Sequence, residues 1–408
     1  MKILFFGTAC NLETFNTINK KSNHKASAAP QYFQNLLLKG LSEANKDITI
    51  RTVLPIAHFP ISRKKLISAK KEEVIDGVTT KYLPAVNFLV LKQLCYIVAS
   101  ILELALWSWE NRKEKNRVVL IYGMYLPVSL PLVLFSKLCG SLIVTYVNDL
   151  PNLMFKYTKQ QGLKSLLVPI YNMLSEFLYE KFDGYLMVSK QLGEIVNRKN
   201  KPSAVVEAFA EVSNSRSEDL LQKKENAIMY AGTLHKQFGI DKLLYAFREI
   251  DDPSLKLWIF GSGDMEDEIE KESKKDSRII YFGMKPLSDV FKYEMRAKLL
   301  INPRYSKDEY TKYSFPSKTM EYMLSGTPVL MTHLKGIDDD YYEHVYTTPN
   351  ESIAGWKDSI EKVMLKSEFE LNEKGRSARQ FIIKNKNLQA QTKKVIKLLY
   401  QVLENRAL

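Results

Sequence analysis

Short apolar segments, mostly bounded by Gly, Pro or Asp, alternate with helical patterns along the whole chain. This alternation constrains the fold more than any other feature, because it is typical of parallel sheets covered by helices. The segments predicted as strands are residues 2–6, 48–54, 118–122, 142–146, 184–188, 227–231, 255–260, 278–282, 297–301 and 327–331. The sequence therefore predicts an α/β protein.

The strand pattern lapses between Glu207 and Glu225, where residues 213–217 are polar. A chain of 408 residues is also longer than a single hydrophobic core usually grows. We predict two Rossmann-like domains, 1–210 and 211–370, facing across a cleft, and a helical extension, 371–408, that packs back on the first domain. A ligand of the cleft would lie at the carboxyl ends of the strands, where helix N-termini point inward.

Positive charge is concentrated in the first half of the chain. Residues 1–200 hold 26 Lys and Arg against 14 Asp and Glu, a net charge of +12, whereas residues 201–408 hold 33 against 32, a net charge of +1. Such asymmetry attracts anionic surfaces. Because no nucleic-acid-binding motif accompanies it, we predict an anionic membrane surface as a partner, and no nucleic acid.

Two basic segments, 62–65 and 112–115, accompany the apolar, aromatic stretches 83–109 and 153–179. Basic and aromatic faces together indicate contact with a membrane surface, and buried helices with charged ends explain the pattern equally well. Lys92 and Glu103 interrupt the first stretch, which favours an amphipathic or buried helix over a membrane span. The polar residues 11–29 are predicted as a long loop.

The apolar N-terminal segment is too short for a signal peptide, and we expect a cytoplasmic protein. The three Cys and five His residues are scattered, so no metal site is predicted. Asp338, Asp339 and Asp340 follow one another, which is more typical of a solvated turn than of a metal site.

The best-specified segment is 313–330. Pro316 is predicted at the first position of a helix that runs to about Ser325, and Gly326 is predicted to end it. On a helical wheel, three apolar residues share one face and three polar residues share the opposite face, which would line the cleft. These residues are Met320, Met323 and Leu324, and Lys318, Glu321 and Ser325.

Lys318 lies in the first turn of this helix, where the helix dipole disfavours a cation. Its position is explained if an anion binds there, since Ser317, Lys318 and the free N–H groups would hold a diphosphate. Glu321, one turn later, could then accept hydrogen bonds from two ribose hydroxyls. A solvated Lys–Glu face on an ordinary helix is the alternative.

Glycines follow three strands of the second domain, at Gly232, Gly261 and Gly283. Glycine permits close approach of a ligand to the backbone, although a tight strand-to-helix turn requires glycine as well. The segment 261–266 lacks the dinucleotide-binding fingerprint, because Glu266 occupies the place of the third glycine.

Together these segments resemble the retaining glycosyltransferases of family 4, which have the GT-B fold. The resemblance covers residues 227–331 and depends on the order and spacing of its motifs, which are 230–234 with 239–244, 260–263, Gly283, Phe315 with Glu321, and 325–329. It implies transfer of a hexosyl group from a nucleoside-diphosphate sugar, a UDP-sugar being favoured, to an acceptor hydroxyl with retention of configuration. No metal or other cofactor is implied.

The residues 314–318, Ser-Phe-Pro-Ser-Lys, resemble a variant found in bacterial members that build surface polysaccharides. That likeness implies a lipid-linked saccharide as acceptor, carried on a polyprenyl diphosphate, and a location on the inner face of the plasma membrane. Two departures from the family pattern stand out. The first glutamate of the family's pair falls on Tyr313, and the family's Arg and Lys after the first glycine are replaced by Thr233 and Phe238.

The remaining site residues are expected around this helix. Lys236, Arg304 and Lys318 are the candidates for neutralising the diphosphate, and Gly283 with Met284 is the place where family members commonly hold the nucleobase. Asp149, after the strand 142–146, would orient the acceptor hydroxyl or cap the next helix. A sugar-nucleotide epimerase of the same fold and a non-catalytic partner of a glycosyltransferase are the alternative functions.

Overall fold

The computed structural model describes residues 1–22, 26, 28–45, 47–75, 77–150, 163–210 and 224–406. The chain forms two compact units, the first made of Met1–Phe209 with Leu388–Leu408 and the second of Ala210–Asn387. The predicted 371–408 extension is therefore divided between the two units. The polar segment 213–217, at which we placed the domain boundary, lies outside the described residues, as do residues 153–162 of the second apolar stretch.

Unit 1 is built on an eight-stranded sheet in the order β10-β9-β8-β7-β1-β2-β5-β4, in which only β4 runs antiparallel to its neighbour. The ten strands of the unit are Lys2–Gly7 (β1), Ile48–Thr52 (β2), Leu66–Ile67 (β3), Lys71–Ile75 (β4), Val78–Tyr82 (β5), Ala85–Val86 (β6), Arg117–Tyr122 (β7), Leu142–Val147 (β8), Gly184–Met187 (β9) and Ser203–Val205 (β10). All five strands predicted for the first half are confirmed.

Seven helices cover the sheet of unit 1 in the described residues. They are Leu12–Lys20 (α1), Ala28–Ala44 (α2), Leu89–Glu110 (α3), Leu126–Ser136 (α4), Leu163–Tyr179 (α5), Lys190–Val196 (α6) and Leu388–Glu404 (α13). Helix α13 packs on α2, as predicted for the end of the chain. Helices α3, α4 and α5 lie side by side in a separate layer, with α4 in contact with both of the others.

Helix α1 corrects the prediction of a loop over residues 11–29. The Asn11 side chain accepts a hydrogen bond from the Thr14 N–H at 2.7 Å and caps the helix. Phe15 and Ile18 are buried on its inner side. Only these two apolar side chains pack there, so the helical pattern was too sparse to identify from the sequence.

Unit 2 contains a parallel sheet of six strands in the order β13-β12-β11-β14-β15-β16. Its strands are Glu225–Ala231 (β11), Lys256–Phe260 (β12), Ile279–Gly283 (β13), Ala297–Asn302 (β14), Val329–Thr332 (β15) and Tyr346–Thr348 (β16). Its helices are Ile240–Arg248 (α7), Glu266–Lys275 (α8), Leu287–Arg296 (α9), Ser317–Ser325 (α10), Ile353–Met364 (α11) and Glu368–Asn385 (α12). The five predicted strands are confirmed.

The order of the strands in unit 2 reverses between β11 and β14. The chain leaves β11 towards β12 on one side and leaves β14 towards β15 on the other side. The loops at the carboxyl ends of β11 and β14 therefore diverge and leave a crevice. Ligands of open parallel sheets bind at such a crevice. The loops after β11 and β14 are therefore the first place to examine for a binding site.

Candidate functional site

Helix α10 begins beside this crevice. Pro316 is the N-terminal capping residue rather than the first helical residue, because its backbone is extended and its carbonyl accepts from Thr319 N–H at 2.8 Å. This corrects the predicted start by one position. Gly326 ends the helix in the left-handed conformation, with φ of 76°, as predicted. The N–H groups of Ser317 and Lys318, which precede Thr319, have no carbonyl partner within the helix and point out of its N-terminus.

Three buried hydrogen bonds hold α10 at the strand ends. The Tyr322 hydroxyl donates to the Ala231 carbonyl at 3.0 Å and accepts from the Ala231 N–H at 2.6 Å. The Asn302 amide donates to Thr319 Oγ1 at 3.0 Å. Since Ala231 ends β11 and Asn302 ends β14, the N-terminal half of α10 lies at the crevice between these strands.

Lys318 and Glu321 lie together on α10, with Lys318 Nζ 2.5 Å from Glu321 Oε2. Burial alone would lower the pKa of Lys318, but the carboxylates of Glu321 and Glu294 outweigh it and raise this pKa above its ordinary value. The ammonium is therefore held in its charged form beside the helix N-terminus. The side chain of Glu321 is 44% exposed, which leaves its second oxygen accessible.

Ser325 does not share the open face of Lys318 and Glu321, contrary to the helical-wheel prediction. Its side chain is buried, donates to the Tyr322 carbonyl at 2.7 Å and accepts from the Thr327 N–H at 3.1 Å. These bonds join the end of the helix to the following strand. Ser325 is therefore a structural residue.

Arg304 follows β14 and lies over the ring of Phe238, with 4.7 Å between the guanidinium carbon and the ring centroid. Phe238 occupies the position at which the family pattern has Lys, so Arg304 supplies a cation near the place where that charge is missing. Within the described part of the chain, no carboxylate forms an ion pair with Arg304. Burial lowers its pKa, but Arg remains charged in proteins, which makes it a ready ligand for an anion.

The loop after β11 carries Gly232, Thr233 and Lys236. The side chains of Thr233 and Lys236 are exposed, and the Lys236 N–H donates to Asp264 Oδ1 at 3.2 Å. The ammonium of Lys236 thus extends from the rim of the loop.

The glycines of this sheet edge have different structural roles. A Cβ on Gly261 would lie 1.8 Å from the Gly232 carbonyl oxygen, so packing between two loops already requires this glycine. Gly283 has φ of +65° and nothing within 4 Å of such a Cβ. Open space beside Gly283, together with a Met284 that is 72% exposed, leaves room for a ligand against the main chain.

The loop before α10 contains the residue that departs from the family pattern. Tyr313 is half-buried and its N–H donates to the Tyr310 carbonyl at 3.0 Å. Next to it, Ser314 Oγ is buried and has no hydrogen-bond partner among the described residues. A buried hydroxyl without a partner is uncommon, and a ligand would satisfy it.

In unit 1, Asp149 follows β8 and accepts a hydrogen bond from the Asn148 amide at 2.6 Å. The carboxylate keeps contact with solvent, but the protein around it removes much of its hydration. This desolvation raises the pKa of Asp149 to about 6. Behind it, the rings of Tyr122 and Tyr146 stack at 5.2 Å between centroids. The edge of this sheet therefore combines aromatic rings with a carboxyl group that titrates near neutral pH.

Sequence reasoning missed three contributors to the site, which are Tyr322, Asn302 and Glu294. Tyr322 and Asn302 act through contacts with residues distant in the chain, and the buried Glu294 on α9 acts on Lys318 through its charge. A buried tyrosine or asparagine in a core pattern was the only available signal. In the described ranges, no cluster of His, Cys, Asp and Glu is able to hold a metal ion.

Residues 225–366 match the family model "Glycosyl transferases group 1". A search of curated protein sequences finds no match to the chain.

Solved structures share the fold over nearly the whole chain. Sucrose-phosphate synthase from Thermosynechococcus elongatus is 14% identical with a TM-score of 0.66, covering 99% of this chain and 100% of that one. HepE of Anabaena, in complex with UDP, is 13% identical with a TM-score of 0.61, covering 98% and 100%. The lipopolysaccharide outer core galactosyltransferase WaaB is 12% identical with a TM-score of 0.61, covering 98% and 99%.

The two Rossmann-like units and these structural neighbours define an α/β protein of the GT-B fold, which confirms the predicted fold class. Residues 225–366, which match the group 1 glycosyltransferase model, include β11, β14 and α10. The crevice of unit 2 therefore lies within the segment that matches this family model.

Proposed function

We propose that this protein is a retaining hexosyltransferase of the family 4 type, which uses a nucleoside-diphosphate sugar, with a UDP-sugar favoured. The observation that carries the proposal is the meeting of three anion-binding features at one crevice. These are the free N–H groups at the start of α10, the charged Lys318 and the guanidinium of Arg304, which has no carboxylate partner among the described residues. A diphosphate satisfies all three.

In this proposal the diphosphate binds at the N-terminus of α10. Ser317 and Lys318 bind it from the helix, Arg304 provides a bidentate contact, and Lys236 approaches from the rim. Glu321 accepts hydrogen bonds from the ribose hydroxyls. Gly283 and Met284 lie against the nucleobase, in the space that the structure leaves open.

Catalysis consists mainly of stabilising the leaving group. The bond between the sugar C1 and the diphosphate oxygen breaks, and the acceptor oxygen bonds to C1 on the same face, which retains the configuration. The proton of the acceptor hydroxyl passes to the departing diphosphate oxygen. Fixed N–H dipoles and two cations stabilise the charge that develops on the diphosphate, so the reaction needs no metal. Asp149 orients the acceptor hydroxyl and is ionised above about pH 6.

The acceptor in this proposal is a saccharide linked to a polyprenyl diphosphate, and the pathway is bacterial surface-polysaccharide synthesis. One structural neighbour supports this choice by its name, which is that of a lipopolysaccharide outer core galactosyltransferase. The proposed location is cytoplasmic, peripheral to the inner face of the plasma membrane. The basic first half of the chain is compatible with an anionic leaflet.

Thermal-shift measurement with a panel of sugar nucleotides tests the donor site, because a ligand that binds only the folded state raises the melting temperature. We expect a UDP-sugar to raise it in the wild type and not in Glu321→Ala. Glu361→Ala is the matched control, since Glu361 forms an equivalent pair with Lys357 at 2.7 Å on α11. NMR of the product's anomeric carbon then tests retention.

Normal turnover in Glu321→Ala would overturn the site assignment. A donor that binds without any transfer to lipid-linked saccharides would favour the non-catalytic alternative. Epimerised sugar nucleotide formed without acceptor would favour the epimerase.

A further inference from the structure

Helix α3 presents an unbroken apolar stripe to solvent. Its exposed residues before Glu110 are all apolar. Six of them are 50% to 69% exposed and recur every three or four residues, which places them on one face. They are Leu91, Leu94, Val98, Leu102, Leu106 and Trp109. The stripe is about 27 Å long. An exposed apolar surface of this extent marks an interaction site.

The charged residues of α3 point the opposite way. Lys92 and Glu103 are the only charged residues between Leu89 and Trp109, and both are buried against unit 1. Lys92 donates to the Ile56 carbonyl, and Glu103 binds Arg51 and Lys81 at 2.5 and 2.6 Å. A surface helix of a soluble protein normally shows the reverse arrangement.

These inward contacts also determine which face of α3 is able to bind a partner. By length and composition alone, α3 could cross a membrane. Crossing would strip Glu103 of Arg51 and Lys81 and would expose Tyr96, which is fully buried. The helix therefore stays on unit 1 and offers only its outer face.

The apolar surface continues across the neighbouring helices. Leu134 and Leu138, on α4 and just after it, are 51% and 81% exposed, and Met173 of α5 is 62% exposed. Because α4 packs against both α3 and α5, these residues extend the stripe sideways. The surface is thus a layer of three helices rather than a single ridge.

Basic residues border this layer at both ends. Near the start of α3, the ring of Phe59 contacts Phe88, and Lys65 lies over Phe59 at 5.1 Å. At the other end, α3, α4 and α5 lead into the parallel strands β7, β8 and β9, so their C-termini lie on the same side. Exposed basic residues follow these C-termini, namely Arg112, Lys113, Lys137 and Lys181.

We propose that the outer faces of α3, α4 and α5 insert into the interfacial region of an anionic phospholipid bilayer, with α3 parallel to the membrane plane. A protein partner would call for a mixed surface, since protein interfaces are only about 56–58% non-polar. The α3 stripe contains no polar side chain before Glu110. It ends instead in Trp109 with Arg112 over its ring at 4.6 Å, a combination suited to the headgroup level.

The insertion itself does not depend on the proposed function. Its biological role does, because insertion would bring a lipid-linked acceptor to unit 1. The proposed insertion also differs from the charge-based prediction in the force that holds the protein at the membrane. Electrostatic adsorption is lost at high salt, because salt screens surface charges. Insertion of an apolar stripe persists at high salt, because burial of apolar surface is not screened.

The test is flotation of the full chain with vesicles of phosphatidylglycerol and phosphatidylcholine at about 0.1 M and about 1 M salt. We expect the wild type to float at both salt concentrations. The double variant Leu94→Asp/Leu102→Asp should lose at least about tenfold in vesicle partitioning, because a carboxylate resists transfer into lipid. The control is Leu365→Asp/Phe369→Asp on unit 2, where both residues are at least 75% exposed, and it should float like the wild type.

Equal flotation of the stripe variant and the wild type would overturn the inference. So would wild-type binding that disappears at about 1 M salt, which would leave only electrostatic adsorption. A wild-type dimer that becomes monomeric in the stripe variant, with no vesicle binding by either, would assign the surface to a second copy of the chain. The UDP-sugar thermal shift is measured without vesicles on the same variants, so a failure of membrane binding and a failure of the donor site are told apart.

Discussion

Helix α3 of unit 1 and helix α11 of unit 2 arrange similar residues in opposite ways. In α11, Trp356 and Ile360 are fully buried, whereas Lys357 and Glu361 form an ion pair on the partly exposed side. In α3, Lys92 and Glu103 are buried and leucines face outward. Both helices cover sheets whose central strands are parallel, in units of the same fold class. The difference shows that helices covering sheets of the same fold class can have a polar or an apolar outer face.

The sheet edges of the two units differ in the same way. The edge of unit 2 combines free helix N–H groups with Lys318 and Arg304, which suits a diphosphate. The edge of unit 1 combines stacked tyrosines with the Asp149 carboxylate. We expect variants at the donor site of unit 2 to change catalysis without changing membrane binding. Variants on the α3 surface of unit 1 should change membrane binding without changing donor binding.

The largest effect is expected for Lys318→Ala in unit 2. Removing a cation that stabilises the leaving diphosphate should lower kcat by about 10²- to 10³-fold, as for the loss of one oxyanion-stabilising donor. Flotation with anionic vesicles should not change, because Lys318 is not part of the α3 surface. Lys357→Ala, which breaks the ion pair on α11, serves as the control. Reduced flotation of Lys318→Ala would contradict the assignment of membrane binding to unit 1 alone.

The second effect concerns the inward charges of α3. Glu103→Gln leaves Arg51 and Lys81 beside an uncharged partner, and we expect a loss of about 2 to 4 kcal/mol in the free energy of unfolding. Urea denaturation measures it. Glu361→Gln, at a partly exposed pair, should cost about 0.5 kcal/mol or less. Equal costs at the two positions would mean that the buried charges of α3 do not anchor it.

The pH dependence of stability sharpens this test. Burial would raise the pKa of Glu103, but hydrogen bonds from Lys81 and Arg51 outweigh it and hold this pKa below its ordinary value. The contribution of Glu103 is therefore fully present above the ordinary pKa of a glutamate and is lost as pH falls through the lowered pKa. In Glu103→Gln, the decrease in the free energy of unfolding that comes from protonating Glu103 at low pH should be absent.

The sequence alone predicted the fold of both units because each central strand is a short apolar run that needs no partner to be recognised. The β4–β5 hairpin was missed, since Lys71, Glu72 and Glu73 interrupt the apolar pattern. Lys318 and Glu321 were identifiable because their relation is local, within one helical turn. Their roles in donor binding remain predictions.

The remaining features depend on contacts between distant parts of the chain. Nothing near Arg304 in the sequence shows that it packs over Phe238. Lys92 and Glu103 were correctly taken as interruptions of an apolar stretch, but the side they face depends on Arg51, Lys81 and Ile56, which lie elsewhere in the chain. Only the folded unit shows that the leucines, and not the charges, are exposed.

The smallest effect on activity is expected at Asp149. We expect the pH dependence of kcat/KM to come from this carboxylate of unit 1. Because desolvation raises the pKa of Asp149 to about 6, the carboxylate is largely protonated at pH 5 and ionised at pH 7. If the ionised form orients the acceptor, kcat/KM should rise about tenfold over this range. The profile should become flat in Asp149→Asn and should persist in Asp358→Asn, a change on the outer side of α11. The UDP-sugar thermal shift should be equal in all three proteins, and a smaller shift in Asp149→Asn would mean that Asp149 also serves the donor.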